Sequence, residues 1–140
     1  KTGFDEVYRA VKEYSVKYPD KAVTYFGQQY PAFGWAVMMA GGSLPNIPVS
    51  DEGFLAAAAK MRNVIDGGNV YKMISGDNGA VIYTMGSEPY SVKITEGKYR
   101  INVIDVASGD VERSQKPVMI DGEYIVATAV RNQVIWLEKM

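Results

Sequence analysis

The chain has 140 residues, 47% hydrophobic and 22% charged, and its 15 Lys and Arg against 16 Asp and Glu leave a net charge of −1. That composition describes an ordinary globular chain able to bury a core, and with no basic stripe it gives nucleic-acid binding no support. It holds no Cys and no His, which excludes disulfides, thiolate nucleophiles, Ser-His pairs and His-ligated metals and leaves acid–base chemistry to Asp, Glu, Lys or Tyr.

Thr2 is placed to cap a first helix, with Asp5 in its first turn. Phe4, Val7, Tyr8, Val11, Tyr14 and Tyr18 recur at helical spacing and form one apolar stripe. Pro19 and Asp20 end the helix. Residues 21–26 read as a short β-like run and 27–31 as a loop. Residues 33–40 (FGWAVMMA) are apolar on every side, which predicts a short buried helix stopped by Gly41 and Gly42. Pro45 and Pro48 keep 44–49 extended.

Ser50 is a good N-cap for a third helix, with Asp51 and Glu52 favourably placed on its dipole. Phe54, Leu55, Ala58, Met61, Arg62 and Ile65 follow the helical period up to Gly67 and Gly68. At 66–69 the period changes to two. Residues 70–75 and 80–85 flank GDNG at 76–79, a hairpin signal. Residues 90–95 and 98–104 flank Glu96-Gly97, read as a second hairpin. In the latter strand Tyr99, Ile101 and Val103 share one face, and Lys98, Arg100 and Asn102 the other. After a turn at 105–109, residues 110–115 form a polar edge strand. Residues 117–120, 123–129 and 133–139 complete the set. Turn signals every 8–12 residues point to a sandwich or barrel. The fold class expected is α+β: N-terminal helices packed on a C-terminal antiparallel β-sandwich of seven or eight short strands. The domains expected are a helical region at 1–69 and the β-domain at 70–140.

Candidate chemistry is sparse. Two carboxylates a few ångströms apart could cleave a glycosidic bond, and Asp51 and Glu52 are the weak catalytic candidates. Their place at a helix start is already explained by the helix dipole, which is the favoured reading. Aromatic faces stack on the C–H face of a sugar ring, which singles out Tyr25, Tyr30 and Trp35 as carbohydrate-binding candidates. Trp35, inside an apolar run, favours core packing, whereas Tyr30 sits in a polar loop. The acidic turns at 76–79 and 105–110 lack the full spacing of a calcium loop, and GGS at 41–43 lacks the rest of a phosphate loop. No metal site and no cofactor are expected.

The runs VIYT at 81–84, YSVKI at 90–94, GKYRINVID at 97–105, Ser108-Gly109 and VIWLEK at 134–139 resemble the C-terminal β-sandwich of bacterial glycoside-hydrolase-like (β/α)-barrel proteins. The run FGWAVMMAGGSL at 33–44 and residues 54–61 look like the segment that ends such a barrel. A complete barrel takes ~250 residues and carries its carboxylates at strand ends, so the resemblance supplies no catalytic residue here. It implies a non-catalytic C-terminal region of a carbohydrate-active protein that braces a barrel or binds glycan. A small glycosidase using Asp and Glu, or a stand-alone oligomeric interaction protein, are the alternatives. The partners implied are polysaccharide or oligosaccharide, and a second copy through the N-terminal helices. No run approaches the ~20 apolar residues of a membrane span. The chain starts at Lys1 without a signal peptide, so a processed or excised chain, periplasmic or extracellular, is the expectation.

Overall fold

The computed structural model describes residues 4–18, 31–41, 47–64, 70–127, 129–130 and 133–140. The β-like run expected at 21–26 and the loop at 27–30 lie outside them. The chain divides into two compact units, Lys1–Pro48 and Val49–Met140. The change of period at 66–69 therefore falls inside the second unit, after its only described helix and its first strand.

The first unit holds α1 (Phe4–Lys17) and α2 (Pro31–Met39), packed against each other. Asp5 and Glu6 in the first turn of α1 and Lys17 in the last suit the helix dipole. Phe4, Val7 and Val11 are buried, but Tyr14 and Tyr18 stand exposed, so the apolar stripe leaves the core after about two turns. From Gly34 to Ala40 every residue of the α2 region is buried, as an all-round apolar helix requires. Gly41 stops it: its φ of 82° lies in the left-handed region, and its N–H donates to the Met38 carbonyl at 3.0 Å.

The second unit begins with α3 (Glu52–Ala58). Its N-cap is Asp51 and not Ser50, because the Asp51 carboxylate accepts the Phe54 N–H at 2.9 Å. The helix is also shorter than its apolar spacing suggests. Arg62–Val64 forms strand β1, paired antiparallel with β2 (Tyr71–Ser75), and this ladder overrides the helical reading of Met61 and Arg62, while Ile65 lies outside the described residues.

A seven-stranded sheet runs in the order β1-β2-β3-β9-β5-β6, where β3 is Gly79–Thr84, β5 Gly97–Asp105, β6 Val111–Glu112 and β9 Gln133–Lys139. Strand β7 (Val118–Ile120) pairs with the start of β5, on the same side as β6. Strands β4 (Tyr90–Lys93) and β8 (Glu123–Val126) form a separate two-stranded sheet. The described strands thus number nine, and the α+β class with a sandwich-like β-region holds. The first hairpin stands as expected, with Ser75 opposite Gly79. The second does not form: β4 pairs with β8 across the molecule, and β5 pairs with β9, β6 and β7.

Gly79 is needed where it is. Its φ is 102°, and a Cβ there would lie 1.8 Å from the Leu137 carbonyl oxygen of β9. The main core lies between the two sheets: Ala80, Ile82, Tyr99, Ile135 and Leu137 meet Tyr90 and Val92 of β4, with Ile101 and Val103 against them. The alternation read along β5 therefore places the expected face inward. Its other face is not left to water, since Asn102 and Ile104 are both completely buried.

Candidate functional site

The face of the large sheet opposite the inter-sheet core carries the densest polar constellation. Cross-strand register sets Val81, Trp136 and Asn102 in one row and Gly79, Glu138 and Arg100 in the next. Phe54 of α3 meets the Trp136 ring edge-on, with centroids 5.3 Å apart at 75°. That geometry sets the positive edge of one ring against the negative face of the other.

Strand β5 lacks a paired neighbour on its β6–β7 side between Tyr99 and Val103, and the chain joining β6 to β7 crosses this gap. The Ser114 N–H donates to Asn102 Oδ1 at 3.2 Å, tying the crossing segment to the strand. Arg113, beside it, reaches back over the sheet. One Nη donates to Asp51 Oδ2 at 2.7 Å and the other to Glu138 Oε1 at 3.1 Å. Its guanidinium carbon lies 5.0 Å from the Trp136 ring centroid. Glu138 Oε1 also accepts from Asn102 Nδ2 at 3.0 Å. A continuous network thus runs from Asp51 through Arg113, Glu138 and Asn102 to Ser114, over an aromatic floor of Phe54 and Trp136. The indole N–H of Trp136 is buried and has no acceptor among the described residues.

Both carboxylates of this network have partners within it. The Phe54 N–H holds the Asp51 carboxyl below its ordinary 3.8; burial opposes this, and the Arg113 guanidinium and the Gly53 N–H add to the lowering. A glycosidic general acid needs the reverse shift, toward neutrality. What the arrangement does well is fasten α3 to the sheet: a capped helix start, an ion pair across two elements and an edge-on aromatic contact.

A concavity lies at the far end of β5, an open cleft of about 510 Å³. Asp105, Asp110 and Glu112 border it over Ile104, Val111 and Val130. Asp105 is occupied by its own turn: its Oδ1 accepts the N–H groups of Ala107 at 2.9 Å and Ser108 at 2.8 Å. Those donors, Ser108 foremost, lower its pKa. This is the Asx turn chemistry expected at 105–109. Among the described residues no group of three or more Asp or Glu is placed to hold a metal ion.

Of the residues singled out in the sequence, Asp51 lies in the network and Glu52 is exposed in the first turn of α3. Trp35 is completely buried in α2, the core position that its apolar run favours. Tyr25 and Tyr30 lie outside the described residues. The structure brings Asp51 to Arg113, Glu138 and Asn102, none of which carries a local sequence signal. Arg113 is 62 positions from Asp51, and only the crossover between β6 and β7 joins them.

A family model described as "Domain of unknown function (DUF6298)" matches residues 1–61. No curated protein matches the sequence. Among solved structures the chain is similar to a Paenibacillus polymyxa xyloglucanase from glycoside hydrolase family 44. The identity is 12% and the TM-score 0.47, over 96% of this chain and 35% of that one. It is also similar to a GH30 endoxylanase from Clostridium papyrosolvens C71, at 15% identity and a TM-score of 0.40, over 98% of this chain and 38% of that one. The chain therefore spans little more than a third of the length of either structure.

Proposed function

We propose that this chain is a non-catalytic region of a carbohydrate-active, glycoside-hydrolase-like protein. Its Val49–Met140 unit braces a helical segment and contributes to holding glycan. The observation that carries the reading is the fastening of α3. Residues 54–61 are among those that resemble the end of a barrel, and they are held to the sheet by Phe54 on Trp136 and by Asp51 on Arg113. The β-strand runs that resemble an accessory sandwich supply the other side of that contact, since Trp136 belongs to β9. Asp51, a carboxylate that a glycosidase could have used, serves instead as helix cap and ion-pair partner. Such a protein works on polysaccharide outside the cytoplasm, in the periplasm or beyond the cell.

The reading is tested by turnover. The chain is incubated with aryl β-glycosides alongside Asp51→Asn and Glu52→Gln variants. A non-catalytic brace gives no release above buffer for any of the three. Release by the parent chain that either variant abolishes would make it a small glycosidase.

A further inference from the structure

The first unit carries an aromatic surface that its own core does not use. On α1 the buried positions are Phe4, Val7 and Val11, while Tyr14 and Tyr18, which continue the same stripe, are 57% and 43% exposed. The Tyr18 N–H donates to the Tyr14 carbonyl at 2.8 Å, so the two residues sit one helical turn apart and project from one face. Their rings are nearly parallel, 21° apart in plane with centroids at 6.1 Å. Ala10, one turn earlier on the same ridge, is small and exposed, and leaves the approach to Tyr14 open. Beside this ridge runs a second one of exposed Glu13 and Lys17, and the Lys17 Nζ lies 5.8 Å from the Tyr18 centroid.

We propose that Tyr14 and Tyr18 form a stacking platform for the C–H face of a pyranose ring in an oligosaccharide, with Glu13 and Lys17 as partners for its hydroxyl rim. The proposal rests on the carbohydrate-active reading above and gives it a location. Size selects this occupant over a protein. A fully covered aromatic side chain buries ~150–250 Å², so two rings about half exposed offer on the order of 200 Å². A stable protein interface takes roughly 800 Å² from each partner. Chemistry selects it as well. A sugar ring has an apolar face bordered by donors and acceptors, and the platform pairs two ring faces with an ammonium, a carboxylate and two phenol hydroxyls.

The test titrates the full chain with cello-, xylo-, manno- and chito-oligosaccharides by calorimetry, then repeats the titration with Tyr14→Ala/Tyr18→Ala and with Tyr14→Phe/Tyr18→Phe. Both residues are exposed, and thermal melts check that the variants fold as the parent does. The expected result is binding to at least one oligosaccharide, weakened about tenfold or more in the alanine pair and retained in the phenylalanine pair. Equal affinity in parent and alanine pair would remove the platform and leave glycan binding elsewhere on the chain. Loss in the phenylalanine pair equal to that in the alanine pair would show hydroxyl contacts in place of ring stacking and also overturn it. No binding by the parent to any member would overturn both the platform and the glycan-holding part of the function, and leave the brace. Self-association that disappears in the alanine pair would make the tyrosines a protein interface instead.

Discussion

Replacing Asp51 separates its structural duties from any chemical one. In Asp51→Ala the Phe54 N–H loses its acceptor at 2.9 Å and Arg113 loses a partner at 2.7 Å. Loss of a helix cap costs about 1 kcal/mol. The ion pair has 38% of the Arg113 side chain exposed, so it is screened and adds only about 0.2–1 kcal/mol. The sum is ~1.5 kcal/mol, or on the order of 5–10 °C in Tm for a unit of this size. Asp51→Asn keeps the cap and loses only the charge, so its cost is about 0.5 kcal/mol. The pH dependence follows from the depressed folded-state pKa. The ionic contribution is fully present above the unfolded value near ~4 and disappears as pH falls through the folded value. The gap between parent and Asp51→Asn is therefore constant around neutrality and closes in acid. Urea unfolding followed by circular dichroism from neutral pH down to the acid limb measures all of this. If Asp51→Ala were as stable as the parent, or if Asp51→Asn cost as much as Asp51→Ala, the cap-and-clamp reasoning would fail.

Two further substitutions probe the same unit. Trp136→Ala removes a fully buried indole with the Phe54 edge and the Arg113 guanidinium against it, and is expected to cost about 3–5 kcal/mol. In a double-mutant cycle with Phe54→Ala, a coupling of ~0.5–1.5 kcal/mol is expected, and additivity would mean that the ring contact is incidental. Gly79→Ala sets a Cβ against the Leu137 carbonyl at a left-handed φ and is expected to cost at least ~2 kcal/mol; a neutral result would show that the β3–β9 approach relaxes freely.

Local chemistry in the sequence carried far, and its limits have physical causes. The β2–β3 hairpin was legible because GDNG at 76–79 holds its turn signal within a few residues. Helix α2 was legible because an all-round apolar run has one stable home. The inward face of β5 followed from strict alternation. The β4–β8 and β5–β9 pairings were not legible, because each joins strands some thirty positions apart and no turn records the choice. Met61 and Arg62 misled because a short apolar spacing fits either period, and the pairing of Arg62–Val64 with β2 decided it. The exposure of Tyr14 and Tyr18 was hidden for a related reason: spacing marks a stripe but not where its cover ends. The polar network was least visible, since Asn102 and Glu138 become neighbours only through the β5–β9 pairing, and Arg113 reaches Glu138 and Asp51 only from the crossover at the β5 edge.

Native-state hydrogen exchange across α3 tests the brace most directly. If Phe54 on Trp136 and Asp51 on Arg113 fasten α3 to the sheet, the hydrogen-bonded amides of Leu55 and Ala59 open with nearly the free energy of the core strands β3 and β9, and Arg113→Ala lowers that value for α3 while leaving the strands close to the global stability. Exchange of those amides at fraying rates in the parent chain, unchanged by Arg113→Ala, would contradict the account.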